Sequence, residues 1–293
     1  MEWSHLQSGW EIMNERPVFV MGCPRSGTTV MGAWIGTVPS ICDLGEYFGF
    51  VHSLLTLPES YARLRPFYLD EYLTAIRDVT CNLASELTRR AYAEDFCDST
   101  PWNLLIADEL AELYPKARFV IMLRHFSGVM QSLEGSWSRG YEWAGDSWDA
   151  RALLWEALNQ KVDQLSRDNS VVVSFDCLCQ KPRETLRSLS IELEKMNLAI
   201  GDADYSVFAK SYASGPGGRT LSAANTGTSE DAVEWTPRPS FDARDWIEKV
   251  KVSSSVRSLL LEADARLRSL FPEPRMYSSP DGWSDDLLKS EEA

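Results

Sequence analysis

Short apolar runs alternate along this chain with longer stretches whose apolar residues recur every three or four positions. The runs read as strands buried on both faces: residues 17–22 with Val18, Phe19, Val20 and Met21, residues 117–123 (ARFVIML), and residues 171–175 (VVVSF). Residues 95–98 form a shorter candidate strand, and 40–48 a short extended piece that re-enters the site. Helical spacing is clearest in 69–92, where Leu73, Ile76, Val79, Leu83 and Leu87 fall on one face. Further helices are predicted over 27–38, 127–136, 149–167 and 182–198. Another helix should start at Thr100-Pro101, with Thr as N-cap and Pro in the first turn, and run to Tyr114. A last one spans 241–270 with an interruption near Val252.

Alternating strands and helices predict an α/β fold, a parallel sheet flanked by helices. The organisation expected is one domain over 1–293, with a cofactor-binding core at 17–136, a long loop at 201–240 and a flexible tail at 279–293. No internal repeat is visible.

Composition narrows the partners. At 44% hydrophobic, with 11 Trp, 10 Tyr and 11 Phe, the chain can bury a large core. Its 29 basic and 43 acidic residues leave a net charge of −14, which argues against nucleic acid and against polyanionic acceptors unless a local basic cleft opposes the field. The six cysteines lack paired zinc spacing, and Cys177-Leu-Cys179 reads as packing at a strand end. No stretch approaches the ~18–20 apolar residues of a membrane span. The first residues are acidic and aromatic, unlike a signal peptide, so a soluble, reduced, cytoplasmic protein is expected.

The stretch PVFVMGCPRSGTT, 17–29, joins a strand to a helix start through a glycine-bounded turn. Backbone N–H groups converge on an anion in such a turn. Gly22 and Gly27 keep the spacing of the nucleoside triphosphatase P-loop, and Thr29 keeps its hydroxyl, but Thr28 stands where that loop has lysine. Arg25 brings a cation inside the turn. Without the lysine, the loop suits a shorter anion held by hydrogen bonds better than a metal-bridged triphosphate. A second anion site is expected where Arg124 leaves a strand at its carboxyl end, with Ser132 eight positions later on the next helix.

Together these residues resemble the sulfotransferases that use 3′-phosphoadenosine 5′-phosphosulfate, with product adenosine 3′,5′-bisphosphate. PRSGTT is similar to their 5′-phosphosulfate loop, the Arg124–Ser132 block to their 3′-phosphate strand and helix, and STPWN to the stretch between. The resemblance covers 17–136, extends weakly to FDCLCQKPRETLRSL, and fades in the C-terminal third. It implies cofactor contacts from Arg25, Ser26, Gly27, Thr28, Thr29, Arg124 and Ser132. Arg219 in ASGPGGRT is the candidate for the family's glycine-rich 3′-phosphate segment.

Transfer to a hydroxyl needs a base. Family members with a base histidine carry it between the two phosphate blocks, where this chain has none; His5, His52 and His125 lie elsewhere. Members resembling protein-tyrosine sulfotransferases use a glutamate after the first helix, and ungapped alignment on RSGTT puts Glu46 there. In LGEYF that carboxylate is expected in an apolar pocket, where desolvation would raise its pKa; Asp43 and Asp98 are reserves. Ser99 stands where many relatives have lysine.

The resemblance thus implies a metal-independent enzyme, with Glu46 and Arg25 catalytic, acting on a small-molecule or carbohydrate hydroxyl shaped by 134–148 and 47–68. The rivals are a P-loop kinase of a nucleotide or small metabolite, and a binding protein without catalysis.

Overall fold

The computed structural model describes residues 15–56, 58, 69–162, 165, 168–200, 250–274 and 276–277. Five strands, β1 (Val18–Gly22), β2 (Ile41–Asp43), β3 (Asp95–Asp98), β4 (Arg118–Leu123) and β5 (Ser170–Ser174), form one parallel sheet in the order β2-β3-β1-β4-β5. Register places Val18 beside Cys97 on one side and Arg118 on the other. The central strand is therefore the one that runs into the glycine-bounded turn.

Among the described residues, the α-helices of six or more residues are α1 (Thr28–Ile35), α2 (Leu69–Arg90), α3 (Ala107–Leu113), α4 (Phe126–Trp137), α5 (Trp148–Val162), α6 (Phe175–Gln180), α7 (Pro182–Lys195) and α8 (Ser254–Leu270). None of the described helices is long and apolar enough to cross a membrane.

Side chains alternate across each strand. Val18 and Val20 of β1, with Val120 and Met122 of β4, pack with Met31 and Trp34 of α1 and Leu186, Leu189 and Leu193 of α7. Phe19 and Met21, with Phe119 and Ile121, join the opposite layer, which holds Phe126 and Leu133 of α4, Trp155 of α5 and Leu260 of α8. The strands read as unbroken apolar runs because both faces are covered. Phe19 is the hub of that second layer: the rings of Phe50, Phe96, Phe119 and Tyr114 lie 5.7–5.9 Å from it.

At the amino edge of the sheet, Arg118 Nη2 pairs with Asp95 Oδ2 at 2.7 Å and also donates to the Arg16 carbonyl. The pair is buried and ties β4 to β3 on the side away from the turn.

Three expectations change. The helix from Thr100-Pro101 is split into a 3-10 segment, Pro101–Ile106, and then α3. Thr100 does stand at the N-cap position with Pro101 in the first turn, but its side chain makes no cap bond: its hydroxyl donates instead to Asp98 Oδ1 at 2.6 Å. Cys177 and Cys179 lie on α6, not at a strand end, and all six cysteines are free. Ser174 makes that helix by accepting from the Cys177 amide at 3.1 Å. Third, the extended piece expected over 40–48 shrinks to β2, after which the chain turns at Gly45. Residues 201–240 and 241–249, the start of the expected last helix, lie outside the described residues.

Candidate active site

The turn after β1 closes on itself when the Ser26 amide donates to the Cys23 carbonyl at 3.0 Å. That amide is therefore spent within the turn. Gly27, at φ 93°, is the N-cap of α1, and the first helical bond runs from the Met31 amide to its carbonyl. Amides ahead of that bond are those a helix start leaves for an anion. Arg25 is held at φ 77°, a left-handed conformation costly for a side-chain-bearing residue and tolerated mainly at functional sites.

The two arginines meet. Arg25 Nε donates to Ser132 Oγ at 2.9 Å, and Arg124 Nη1 donates to the Arg25 carbonyl at 2.9 Å. Residues 107 and 99 positions apart in sequence thus share one patch at the carboxyl edge of β1 and β4. The two candidate anion positions are contiguous here, one arginine's main-chain carbonyl accepting from the other's side chain. Among the described residues neither guanidinium has a carboxylate within ion-pair distance, and Ser26 Oγ and Arg124 Nε are buried without a hydrogen-bond partner. Desolvation, then the like charges of Arg139 and Arg124, lower the Arg25 pKa, with Glu46 opposing. Arg139 is a third cation that the sequence did not single out; only its place in a polar aromatic segment pointed there.

Glu46 arrives by a short relay. The Gly45 amide donates to Asp43 Oδ1 at 2.9 Å, and the Ser99 amide donates to the Gly45 carbonyl at 2.8 Å, which pins the loop to the end of β3. Thr29 Oγ1 then donates to Glu46 Oε1 at 3.1 Å. Glu46 is exposed, so the expectation of an apolar pocket around it is not met: Tyr47 turns away onto Phe50, with its hydroxyl on the Thr80 carbonyl, and Phe48 faces solvent.

The reserve carboxylates have other partners. Asp98 is fully buried and accepts from the Tyr47 and Thr100 amides, the Thr100 hydroxyl and Asn103 Nδ2. Burial nevertheless pushes its pKa up to about 6. Asp43 holds the Gly45 turn. Ser99 is buried against α1, where a Cβ on Gly32 would stand 2.5 Å from the Ser99 Cβ. Position 99 here serves close helix–sheet packing and carries no cation. His125 is buried with its ring nitrogen Nδ1 on Ser127 Oγ and Nε2 3.6 Å from Asp264 Oδ1, away from the turn, and burial lowers its pKa well below the usual value.

Beyond α4, Trp143 packs edge-on to Trp102 at 6.3 Å and lies 6.0 Å from Tyr141, forming an aromatic rim with Trp143 43% exposed. A separate hollow of about 210 Å³ is lined by Ser53, Leu54, Pro58, Leu73, Thr74 and Arg77. Arg219 lies outside the described residues.

An α/β protein with a helix-start turn and two adjoining arginines at the carboxyl edge of a parallel sheet is an anion-binding fold of the P-loop kind. The Sulfotransferase family profile matches residues 17–194, more than half of the chain, and the chain belongs to that family. The protein-tyrosine sulfotransferase of Drosophila melanogaster is 21% identical over 193 residues, 59% of this chain and 36% of that one. Protein-tyrosine sulfotransferase 1 of Danio rerio is 23% identical over 201 residues, 64% of this chain and 54% of that one. The match spans about a third to just over half the length of these two relatives. The sulfotransferase domain from the Synechococcus PCC 7002 olefin synthase shares the fold at a TM-score of 0.54, with 15% identity, over 88% of this chain and 96% of that one.

Proposed function

We propose that this chain transfers a sulfuryl group from 3′-phosphoadenosine 5′-phosphosulfate to an acceptor hydroxyl, without a metal ion. The observation that carries the reading is the pair Arg25 and Arg124, linked where the Arg124 guanidinium donates to the Arg25 carbonyl, with no carboxylate within ion-pair distance of either guanidinium among the described residues. Two cations outside any salt bridge, beside an orphaned Ser26 hydroxyl and a helix start, fit a small ligand with two anionic ends.

The bound donor supplies an activated sulfuryl group on a 5′-phosphate. Arg25, the Thr28 and Thr29 amides, the Thr28 hydroxyl, and the loop atoms of Ser26 and Gly27 hold that end and stabilise charge left on the phosphate. Arg124 and Ser132 hold the 3′-phosphate, with Arg219 proposed as a further cation. Ser132 accepts from Arg25 and keeps its own hydroxyl proton to donate. Glu46, oriented by Thr29, takes the proton of the attacking hydroxyl.

The acceptor is a small-molecule or carbohydrate hydroxyl carried on the Tyr141–Trp143–Trp102 rim. A tyrosyl hydroxyl of a protein is the second reading, favoured by what the relatives are called. The reading is tested by thermal stabilisation with adenosine 3′,5′-bisphosphate and with ATP, each with and without magnesium. The bisphosphate is expected to stabilise by about 2.7 kcal/mol at 100 times its Kd, independent of magnesium. Stronger stabilisation by ATP with magnesium would overturn the assignment in favour of a kinase. Offering a sugar, a simple phenol and a tyrosyl peptide to the loaded protein then separates the acceptor readings.

A further inference from the structure

Phe175, the first residue of α6, belongs to neither anion-binding motif, yet its ring touches both. The Arg124 Cζ lies 4.7 Å from the ring centroid. On the loop side, a Cβ placed on Gly27 would fall 2.2 Å from Phe175 Cδ2, so the ring fills the space that the missing side chain leaves. Bare backbone also approaches the guanidinium: a Cβ on Gly128 of α4 would fall 2.7 Å from Arg124 Nε. Arg124 is thus crowded by an aromatic face and by a glycine backbone while its Nη1 reaches the Arg25 carbonyl. The next residue, Asp176, holds the root of the arginine by accepting from the His125 amide at 2.9 Å.

We infer that Phe175 is a positioning residue that presets the Arg124 guanidinium against the phosphate loop, and so confers discrimination for a nucleotide bearing a 3′-phosphate. This rests on the sulfotransferase reading above. A free arginine side chain loses much rotamer freedom when it grips an anion; one already stacked and flanked loses less, and affinity rises accordingly. The aromatic face also favours the cation directly. Because the same ring abuts Gly27, a change in loop position is passed to Arg124 and the two ends of the ligand are gripped at a set separation.

The test is calorimetric titration of the full chain with adenosine 3′,5′-bisphosphate and with adenosine 5′-monophosphate, which lacks the 3′-phosphate. Phe175→Leu removes the aromatic face; it should weaken the bisphosphate by about 5- to 30-fold and the monophosphate by less than about twofold. Phe175→Tyr should restore most of the loss. In an Arg124→Gln background, Phe175→Leu should change nothing further, because its effect runs through Arg124. Where the leucine variant fails to fold, Phe175→Met, an apolar side chain of adaptable shape, takes its place. Equal weakening of both nucleotides, or an undiminished effect without Arg124, overturns the positioning role and leaves Phe175 as core packing. A wild-type chain that binds no bisphosphate overturns the sulfotransferase reading itself, and this inference with it.

Discussion

Glu46→Gln separates the base from the binding site. In the structure the Thr29 hydroxyl donates to Glu46 Oε1 at 3.1 Å, and a glutamine carbonyl accepts the same bond in the same place. Glu46 is exposed, so the change strands no buried charge, and stability should move by no more than about 0.5 kcal/mol. Its carboxylate also acts on Arg25, and removing one negative charge there should leave anion affinity equal or slightly tighter. What glutamine cannot do is accept a proton. Loss of a general base lowers the rate about 10²- to 10⁴-fold, or about 2.7–5.4 kcal/mol in the barrier. The assay pairs single-turnover sulfuryl transfer with calorimetric binding of adenosine 3′,5′-bisphosphate. Turnover within about threefold of wild type removes Glu46 from the chemistry, since no general base contributes so little. A loss of binding that matches the loss of turnover shows instead that Glu46 shapes the loop.

Four further outcomes follow from the geometry. Asp95→Asn leaves Arg118 buried beside a neutral partner at the amino edge and should cost about 3–5 kcal/mol in denaturant unfolding, without altering the nucleotide Kd of the folded fraction. Gly32→Ala pushes a methyl onto Ser99 and should destabilise by about 1–3 kcal/mol, read as a lower unfolding midpoint at unchanged m. Asp98 has a folded pKa of about 6, above the unfolded value near 4, so the folded state binds the extra proton and this group's stability contribution falls as pH rises from about 4 through 6. Asp98→Asn, with the Asn103 amide flipped to offer its free oxygen, should therefore gain on wild type across that window; parallel melting curves refute the titration. Chelating divalent cations should leave sulfuryl transfer unchanged, whereas loss on chelation with recovery on magnesium would indicate phosphoryl transfer.

The places of β1, β3, β4 and β5, the parallel α/β class and the glycine-bounded turn after β1 were legible in the residues, whereas β2 is shorter than expected. Burial on both faces writes itself as unbroken apolar runs such as ARFVIML, and a chain reversal between strand and helix needs the glycines at 22 and 27. Local competition already escapes such a reading. Thr100 has the right neighbours for an N-cap, but the buried Asp98 two residues earlier takes its hydroxyl, and the first turns become 3-10. Ungapped alignment on RSGTT pointed to Glu46, and Thr29 does meet it, but its exposure was not legible, because Tyr47 turns onto Phe50 and not around the carboxylate.

Sequence alone determined which residue types sit at the carboxyl edge of the sheet: Arg25 in the turn, Arg124 at the end of its strand, Ser132 two turns along a helix. Tertiary structure decided that Arg25 meets Ser132, that its carbonyl meets Arg124, and that Phe175 lies against Gly27 and under Arg124. The physical reason is range. Periodicity and turn chemistry act over a few residues, whereas these contacts join segments about 50 or more positions apart and depend on strand order, which only the packing of the assembled sheet selects.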